Sequence, residues 1–376
     1  MPRPSEENIL RAGFIGWRGM VGSVLMQSMR EENGFARLEP AFFSTSNKGG
    51  DAPKEAGGAA LKDARELREL ASCDVLVSCQ GGEYTSEVYK PLRQSGWKGY
   101  WIDAASTLRM SDDAVIILDP VNADVLEAGL ARGRRAFAGG NCTVSLMLMA
   151  VTPLFKAGLV EWMTTMTYQA ASGAGAAQML ELVKQMECVT DPTRKTPSEN
   201  ALEIDRLMID AQRSPKLPIQ KFGAPLVGSL LPWISDEMPG GQTREEWKGM
   251  AEGNKILGLD PAVPIDGICV RVGTMRCHSQ AICVKLKKDV PLDEIEQMLA
   301  GGHEWVRVIP NNKESSIRCL TPTAVSGTLN VPIGRLRKLN MGPQFLTAFT
   351  VGDQLLWGAA EPLRRMLLIL QDHLES

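Results

Sequence analysis

The sequence predicts an α/β fold that begins with a doubly wound parallel sheet. Short apolar strands alternate with helical patterns over roughly the first 140 residues, which is typical of a parallel sheet with helices on both faces. A chain of 376 residues exceeds what one ordinary core holds, so we expect two domains. The composition, 44% apolar and 23% charged residues, is that of a globular protein.

Charge, hydropathy and cysteine usage exclude several classes of function. The net charge of −3 argues against a protein that binds nucleic acid or other polyanions. No apolar run reaches the ~18 residues needed to cross a bilayer, and the polar segment Met1–Asn8 does not resemble a secretory signal. Eight cysteines without a Cys-x-x-Cys motif predict neither a disulfide framework nor a zinc site. We therefore expect a cytoplasmic protein with no bound metal.

The first strand, Ala12–Ile15, runs into a glycine-rich turn and then into an amphipathic helix from Val21. Strand, turn and helix in this order are the context in which a dinucleotide pyrophosphate binds at a helix N-terminus. Glycine occupies every third position from Gly13 to Gly22 rather than the usual G-x-G-x-x-G spacing. The turn thus favours nucleotide binding, with a purely structural tight turn as the alternative.

The second strand, Glu39–Phe43, bears on the choice of cofactor. An NAD enzyme usually places an acidic residue at the end of this strand, where it binds the ribose 2′-hydroxyl. Here hydroxyls and a cation follow the strand in Ser44–Lys48, and the only nearby acid, Glu39, is at its start. The pattern favours a 2′-phosphate and therefore NADP, although a merely polar loop would have the same composition.

Two further strands, Cys73–Cys79 and Gly99–Asp103, should end at the same edge of the sheet. Ligand residues of such sheets lie just beyond the carboxyl ends of the strands. This places Gln80 after one strand and Arg109 after the other. We expect Arg109 to contact an anion, with an ordinary surface charge as the alternative. A further strand is predicted at Val115–Leu118.

A nucleophile is predicted at the start of a buried helix. Two glycines and Asn141, a good N-cap, precede an apolar run that begins at Cys142. The helix dipole and the unpaired N–H groups of a first helical turn favour a thiolate at this position. A buried structural thiol is the alternative. Cys277, the rival nucleophile, is predicted in a strand and has no helix N-terminus beside it.

Beyond Cys142 a strand at Met163–Gln169 is followed by the small-residue loop Ala170–Ala176. Such a loop lets the backbone approach a ligand closely, but it also fits a flexible turn. Helical patterns cover about 177–213. The Pro- and Gly-rich stretch 221–241 is then expected to be a long ordered loop that serves function or an interface.

The next predicted helix is capped by Thr243 and carries Glu245 and Lys248 on one face. Without further information, an acid and a base at this spacing predict an ordinary surface ion pair.

Arg271 and His278 follow in a strand pattern and stand seven residues apart, so an unbroken strand would send them to opposite faces. A bend or bulge at Gly273-Thr274 would bring both to one site. For His278 a satisfied core histidine is the alternative to a catalytic role. His303 and His373 lie in polar surroundings and are predicted at the surface.

Ten longer strings stand out along the chain: GFIGWRGMVGSVLMQ, FFSTS, CQGG, GYWIDAASTLRM, GGNCTVSLMLM, YQAASG, REEWKG, VRVG, RCHSQA and GDQLLWGAAEPLRRM. In this order they resemble the aspartate-semialdehyde dehydrogenase family in its Gram-negative bacterial form. The resemblance covers nearly the whole chain, from Gly13 to about Met366.

The resemblance implies a Rossmann-like, NADP-binding domain at 1–140 and an α+β domain for catalysis and dimerisation at 141–357. The C-terminal helix, at about 358–376, would pack back on the first domain and complete it. The resemblance also implies that the protein is a homodimer.

Roles for individual residues also follow from the resemblance. Cys142 matches the acyl-forming cysteine, His278 the acid/base histidine, and Gln169 the glutamine that positions the substrate. The substrate-binding matches are Arg271 for the α-carboxylate, Glu245 for the ammonium, and Arg109 with Lys248 for phosphate. The cofactor-binding matches are Arg18, Gly19, Met20, Val21, Thr45, Ser46, Gln80, Ser172, Gly173 and Gln354.

The activity that the resemblance implies is the NADPH-dependent reductive dephosphorylation of L-4-aspartyl phosphate, through a cysteine thioester. The products are L-aspartate 4-semialdehyde and inorganic phosphate, and the step serves lysine (by way of diaminopimelate), methionine, threonine and isoleucine biosynthesis. One alternative is a reductase of another acyl phosphate, such as N-acetylglutamyl phosphate, in which an acetylated nitrogen would gain nothing from Glu245. Another is a non-catalytic NADP-binding redox sensor that uses Cys142.

Overall fold

A computed structural model describes residues 9–195 and 199–375. The polar segment Met1–Asn8 lies outside the described residues. The chain divides into two units. The described part of the first unit consists of residues 9–145, 251–261 and 355–375, and that of the second consists of 146–250 and 262–354 without 196–198. Three segments of the predicted second domain, 141–145, 251–261 and 355–357, belong to the first of these units.

The described helices are, in chain order, α1 (Met20–Glu31), α2 (Leu67–Ala71), α3 (Gly82–Gln94), α4 (Asp119–Ala131), α5 (Cys142–Lys156), α6 (Ala176–Lys195), α7 (Ala201–Gln212), α8 (Arg244–Leu257), α9 (Leu292–Ala300), α10 (Lys313–Cys319), α11 (Pro322–Val325) and α12 (Glu361–Glu375). Short 3-10 turns occur at Lys54–Ala56 and Ala171–Ala174, and a π-helical turn at Leu356–Ala360 leads into α12. Helices α5 and α8 each contain a boundary between the two units.

The first unit is built on a seven-stranded sheet. Its strands are β1 (Leu10–Ile15), β2 (Leu38–Ser44), β3 (Lys62–Asp63), β4 (Val75–Ser78), β5 (Tyr100–Asp103), β6 (Ala114–Ile117) and β7 (Ala136–Gly139). They lie in the order β3-β2-β1-β4-β5-β7-β6, and every neighbouring pair is parallel. This confirms the predicted doubly wound sheet.

Both faces of this sheet are covered, since β4, β5, β6 and β7 are buried along their whole length and successive side chains point to opposite faces. On one face Phe14 and Ile102 share a core cluster with Leu363 and Met366 of α12. Each of these four side chains is almost fully withdrawn from solvent. Burying one such side chain contributes about 1.5–3 kcal/mol, so the C-terminal helix is an integral part of the first unit. The prediction that this helix packs on the N-terminal sheet is confirmed.

The second unit contains a mixed seven-stranded sheet. Its strands are β8 (Val160–Gln169), β9 (Leu230–Leu231), β10 (Ile265–Val272), β11 (His278–Leu286), β12 (Val306–Val308), β13 (Val331–Leu339) and β14 (Gly342–Gly352). The order is β12-β13-β14-β11-β8-β10-β9, with β8 parallel to β10 and antiparallel to β11. The second unit is thus of the expected α+β kind.

The predicted bend between Arg271 and His278 is present at Gly273, and it separates two strands rather than two parts of one strand. The chain forms two strands there, β10 and β11, and β8 lies between them in the sheet. Arg271 pairs with Gln169 of β8, and Ser279 pairs with Tyr168. Arg271 and His278 therefore come to the same edge of the sheet, at the carboxyl end of β8, because the chain crosses over that strand.

The predicted ordered loop at 221–241 is held against α6 by two buried polar side chains. The Glu181 carboxylate accepts hydrogen bonds from the N–H groups of Lys221 at 2.8 Å and Phe222 at 3.0 Å. Gln185 accepts one from the N–H of Leu226 at 2.9 Å. These side chains satisfy main-chain donors that regular structure would otherwise pair, so the loop is ordered without being a helix or a long strand.

None of the eight cysteines, all of which lie within the described residues, forms a disulfide. Within residues 9–195 and 199–375, no helix has both the length and the apolarity to cross a bilayer. The surface prediction holds for His373, which is exposed. It is wrong for His303, which is partly buried with Nε2 at 2.7 Å from the carbonyl oxygen of Met149.

Candidate active site

The glycine-rich turn after β1 needs glycine at two of its positions for steric reasons. Gly16 has φ of +73°, and a Cβ there would lie 2.5 Å from the carbonyl carbon of Cys79. A Cβ on Gly22 would lie 2.3 Å from the carbonyl oxygen of Gly16. Gly19, whose N–H donates to Gly16 at 3.0 Å, caps α1 without a side chain. The turn therefore brings main-chain groups and a helix N-terminus to the sheet edge, where an anion can bind.

A cavity of about 320 Å³ lies at this turn. It is lined by Gly16, Trp17, Arg18, Gly19, Phe43, Ser44, Thr45, Ser46, Cys79 and Gln80. Five of the ten predicted cofactor residues line it: Arg18, Gly19, Thr45, Ser46 and Gln80. Met20 and Val21 start helix α1 directly behind the turn. The Gln80 amide donates to the Thr45 hydroxyl at 3.5 Å, so the ends of β2 and β4 are joined at the cavity.

Ser44 also lines this cavity, although it was not among the predicted cofactor residues. Its hydroxyl accepts a hydrogen bond from Nη2 of Arg18 at 3.0 Å and another from the N–H of Asn47 at 2.9 Å. One buried oxygen thus fixes both the Arg18 guanidinium and the loop after β2. Its position at the end of β2 is the sequence feature that could have indicated a role at the cavity.

An acidic residue, Asp63, also lies at the end of β2. Strand β3 is only two residues long and pairs with the end of β2, which sets Asp63 beside Ser44. The Asp63 carboxylate lies 3.5 Å from Nζ of Lys48, and it accepts a hydrogen bond from the N–H of Arg65 at 2.9 Å. That main-chain hydrogen bond, aided by Lys48, lowers the pKa of Asp63. The statement that Glu39 is the only nearby acid is wrong, because so short a strand leaves no sequence pattern.

Cys142 is the first residue of α5, and its cap is formed as predicted. The side-chain oxygen of Asn141 accepts hydrogen bonds from the N–H groups of Thr143 at 3.0 Å and Val144 at 3.1 Å. Cys142 is half-buried and stands at the positive end of the helix, which favours a thiolate. Cys277 is fully buried, and burial raises its pKa to about 12. The geometry therefore favours Cys142 over Cys277 as a nucleophile.

Arg109 is a buried group rather than a surface charge, since only 7% of it is exposed. Its Nε donates to the carbonyl oxygen of Gly139 at 2.6 Å. Its Nη1 lies 3.2 Å from Oε1 of Glu252, a residue of α8 that the sequence reasoning did not consider. The other Glu252 oxygen accepts a hydrogen bond from the N–H of Asn141 at 2.7 Å. Arg109 and the turn before Cys142 are thus joined through one carboxylate.

In the second unit the polar residues gather where β8 and β10 end and β11 begins. The main chain of Ala170 serves two of them: its carbonyl oxygen accepts from Nη1 of Arg271 at 2.6 Å, and its N–H donates to Nδ1 of His278 at 3.0 Å. Arg271 is 6% exposed and His278 is completely buried. A guanidinium and an imidazole are therefore oriented by one residue directly after Gln169.

The hydrogen bond from Ala170 assigns the protonation of His278. Because Nδ1 accepts, the neutral ring carries its proton on Nε2. Burial, reinforced by the positive charge of Arg271 and opposed by Glu245, lowers the pKa of His278 to about 3. Without a ligand the ring is neutral near pH 7, with Nε2 as its proton-bearing atom.

The turn Ala171–Ala174 lies against these side chains, and this requires a small residue. A Cβ on Gly173 would stand 2.9 Å from Cε1 of His278 and 3.0 Å from Nη1 of Arg271. In the same turn the Ser172 hydroxyl accepts a hydrogen bond from the Gln354 amide at 2.8 Å. The predicted cofactor residues Ser172, Gly173 and Gln354 are therefore neighbours of the predicted acid/base group.

Helix α8 begins with a capping box, since Thr243 and Glu246 exchange hydrogen bonds of 2.7 and 3.2 Å. Its first turn carries Glu245, which accepts from Nζ of Lys248 at 2.9 Å and from the Gln169 amide at 3.4 Å. The side chain of Glu245 is 7% exposed and that of Lys248 is 16% exposed. The expectation of an ordinary surface pair is therefore wrong, because the pair is largely buried and bonded to Gln169.

The predicted site residues divide between the two units. Those in the first unit are Arg18, Gly19, Met20, Val21, Thr45, Ser46, Gln80, Arg109 and Cys142. Those in the second are Gln169, Ser172, Gly173, Glu245, Lys248, Arg271, His278 and Gln354.

Comparisons with known proteins identify the family. A family model described as "Semialdehyde dehydrogenase, NAD binding domain" matches residues 11–129, and one described as "Semialdehyde dehydrogenase, dimerisation domain" matches residues 151–357. The solved structure of aspartate semialdehyde dehydrogenase from Francisella tularensis is 49% identical over 96% of this chain and 100% of that one, with a TM-score of 0.93. The chain belongs to the aspartate-semialdehyde dehydrogenase family.

More distant structures share the fold of this family. Aspartate semialdehyde dehydrogenase II from Vibrio cholerae, solved in complex with ASA, is 22% identical over 96% of this chain and 98% of that one, with a TM-score of 0.78. The Candida albicans enzyme, solved with NADP, is 15% identical over 97% and 99%, with a TM-score of 0.63. As a member of the aspartate-semialdehyde dehydrogenase family, this chain is an oxidoreductase with a domain that binds a nicotinamide dinucleotide.

Proposed function

We propose that this protein reduces L-4-aspartyl phosphate to L-aspartate 4-semialdehyde with NADPH and releases inorganic phosphate. The observation that carries this proposal is the buried pair of opposite charges, Arg271 and Glu245, each bonded to the Gln169-Ala170 segment. A cation and an anion held at one strand end suit the carboxylate and the ammonium of an α-amino acid.

The substrate class follows from these charges. Arg271 binds a carboxylate through its planar fork, and Glu245 binds a free ammonium. Arg109 and Lys248 supply the positive charge that an acyl phosphate requires. A free ammonium gains a charge partner in Glu245 and an acetylated nitrogen does not, so Glu245 argues against N-acetylglutamyl phosphate.

The nucleophile in this reaction is the Cys142 thiolate. It attacks the acyl carbon, the bond from that carbon to the phosphate oxygen breaks, and phosphate leaves with the electron pair. The substrate acyl group is then held on Cys142 as a thioester. The N–H groups in the first turn of α5 can stabilise the oxyanion that develops at this carbon. When bound, NADPH would supply the hydride that reduces the thioester. The bond from the substrate carbon to Sγ of Cys142 then breaks, which releases the semialdehyde and restores the thiolate.

His278 exchanges the proton with the substrate oxygen through Nε2, since Nδ1 is committed to Ala170. The positive charge of Arg271 is one reason that the His278 pKa is low. A substrate carboxylate on Arg271 offsets that charge and raises the pKa of His278. Because Nε2 already carries the proton of the neutral ring, protonation takes place at Nδ1 and displaces the hydrogen bond from Ala170. The imidazolium then gives its Nε2 proton to the substrate oxygen.

NADP is the cofactor that we propose, and the cavity at the glycine-rich turn fits it. The Arg18 guanidinium and the hydroxyls of Ser44, Thr45 and Ser46 provide donors for a 2′-phosphate. Asp63 would favour NAD, but its carboxylate is engaged by Lys48 and by the N–H of Arg65. Beyond this cavity, Ser172, Gly173 and Gln354 are proposed to contact the same cofactor.

We also infer that the active protein is a homodimer that associates through the second unit. Three apolar side chains on adjacent positions of β8 and β10 are exposed: Met166 by 37%, Tyr168 by 38% and Ile268 by 51%. An exposed apolar patch on a sheet face is typical of an association surface. Light scattering coupled to size exclusion measures the mass, and a monomer at micromolar concentration would overturn this inference.

One assay tests the proposed activity. L-aspartate 4-semialdehyde should reduce NADP only when phosphate is present, and Cys142→Ala should abolish the reaction. An inactive wild-type protein that still binds NADP would favour the non-catalytic sensor. Undiminished turnover by Cys142→Ala would overturn the role of the thiol.

A further inference from the structure

We propose that Glu252 is a positioning residue for phosphate: it holds the Arg109 guanidinium and the main chain before Cys142 in one fixed arrangement. This inference rests on the proposed function, in which Arg109 binds the phosphate that the Cys142 thiolate displaces.

The carboxylate of Glu252 is 2% exposed by side chain and serves two donors. Oε1 lies 3.2 Å and Oε2 3.4 Å from Nη1 of Arg109. Oε2 also accepts a hydrogen bond from the N–H of Asn141 at 2.7 Å. Asn141 caps the helix that begins with Cys142, so one side chain fixes a cation and the approach to the nucleophile.

The remaining contacts of Arg109 define the plane of its guanidinium. Nε donates to the Gly139 carbonyl oxygen at 2.6 Å, and Nη2 donates to the Ala104 carbonyl oxygen at 3.4 Å. A guanidinium has five N–H donors, and Nη2 carries a second one. Because Nε and Nη1 already donate to Gly139 and Glu252, the free N–H of Nη2 is the one that can bind an anion. Its direction is set by Glu252, Gly139 and Ala104 together.

Helix α8, which carries Glu252, makes a second contact with the loop that contains Arg109. Lys255, one turn after Glu252, donates to the carbonyl oxygen of Ser111 at 2.6 Å. Burial lowers the pKa of Lys255, as expected for an amine withdrawn from water to make this contact. Residues 109–111 are therefore held to α8 by Glu252 and Lys255. These two side chains are three residues apart and so lie on one face of the helix.

Glutamine at position 252 serves these donors less well than glutamate does. With its amide oxygen in the place of Oε2, it can still accept from Asn141, but its NH₂ then stands in the place of Oε1 and faces Nη1 of Arg109, donor against donor. Because the guanidinium then loses its buried counter-charge and part of its support, we expect weaker phosphate binding. Contacts to the semialdehyde and to NADP are made by other residues and should change little.

The chain provides a matched control in Glu361. The pair Arg364–Glu361 on α12 has the same exposures as Arg109–Glu252, 9% for arginine and 2% for glutamate, and lies in the same unit. E361Q therefore removes an equally buried charge away from the proposed phosphate group. Any effect common to E252Q and E361Q is an effect on stability alone.

The experiment measures the KM for inorganic phosphate in the semialdehyde-oxidising direction, and the rise in melting temperature caused by phosphate alone. We expect E252Q to raise this KM by about tenfold or more and to reduce the thermal shift, with the KM for semialdehyde and NADP changed by less than about twofold. E361Q should leave the phosphate KM unchanged. In an R109A background, E252Q should have no further effect on phosphate, since Glu252 acts through Arg109.

Equal phosphate KM values for wild type and E252Q would overturn the proposal, as would an E252Q effect that persists in full in the R109A background. If E252Q does not fold, E252D, which keeps the charge but shortens the side chain, should raise the phosphate KM in the same way. A wild-type protein without turnover would overturn the proposed function instead, while the thermal shifts with phosphate would still compare E252Q with E361Q.

Discussion

His278 receives a hydrogen bond at Nδ1 from the main-chain N–H of Ala170, at 3.0 Å. This contact leaves Nε2 as the proton-bearing atom of a neutral, completely buried imidazole. Burial, reinforced by the charge of Arg271, lowers the pKa of His278, and Ala170 also accepts a hydrogen bond from that Arg271. Position and protonation state of the proposed acid/base group are thus set by one peptide segment.

The first prediction concerns catalysis by His278. In His278→Asn the side-chain oxygen can still accept from Ala170, but the variant has no group to exchange a proton with the substrate. We expect kcat to fall by about 10²- to 10⁴-fold with only a modest change in KM. Steady-state kinetics with semialdehyde, phosphate and NADP provide the check. An effect confined to KM would contradict the acid/base role.

The second prediction concerns acid sensitivity. The pKa of His278 is about 3 in the folded protein, against an ordinary value of 6.5, so the unfolded chain binds this proton more readily. The stability that neutral His278 contributes is complete above about pH 6.5 and is lost as the pH falls toward 3. The loss is about 1.4 kcal/mol per pH unit within this window.

His278→Asn should therefore unfold in urea with a midpoint that depends less on pH between 6.5 and 4.5 than that of the wild type. The control is His373→Gln, because His373 is exposed on α12. A pH dependence that is identical in wild type and His278→Asn would show that the buried imidazole contributes nothing to acid unfolding.

Whether a contact in this site could be predicted from the sequence depends on how many positions separate the two residues that make it. The glycine-rich turn, the Asn141 cap and the Thr243 cap involve neighbours within a few residues, and the structure has each of them where it was predicted. The contact from Ala170 to His278 spans 108 positions, and that from Arg109 to Glu252 spans 143. Local patterns carry no information about such pairs.

One error and one incomplete prediction have the same origin. Asp63 reaches the end of β2 through a strand of two residues, which is too short to produce an alternating pattern. Arg271 and His278 reach one sheet edge because β8 lies between their strands, whereas the sequence alone indicated only that the chain must bend. In both cases the order of strands in the sheet decided the outcome, and that order is a tertiary property.

The third prediction concerns Gly173. A methyl group there would stand 2.9 Å from Cε1 of His278, closer than real Cβ contacts allow, and 3.0 Å from Nη1 of Arg271, which is a tight contact. Gly173→Ala should displace one of these side chains and lower kcat/KM for the semialdehyde by roughly tenfold to a hundredfold. Gly301→Ala is the control, since Gly301 ends α9 at φ of −83° and its Cβ would lie 3.4 Å from the nearest atom. Equal kinetics of the two variants would contradict the packing of Gly173 on the acid/base group.

The last prediction concerns cofactor choice at the cavity of the glycine-rich turn. The Arg18 guanidinium is exposed there and oriented by the Ser44 hydroxyl at 3.0 Å. If it binds the 2′-phosphate, Arg18→Ala should raise the KM for NADP by about tenfold or more, because a charge-assisted hydrogen bond is lost. The KM for NAD, which has no such phosphate, should change by less than about twofold. Ser44→Ala should act in the same direction but more weakly, since it removes the support and keeps the charge. Equal increases for NADP and NAD in Arg18→Ala would instead place Arg18 at a part of the cofactor that both dinucleotides share.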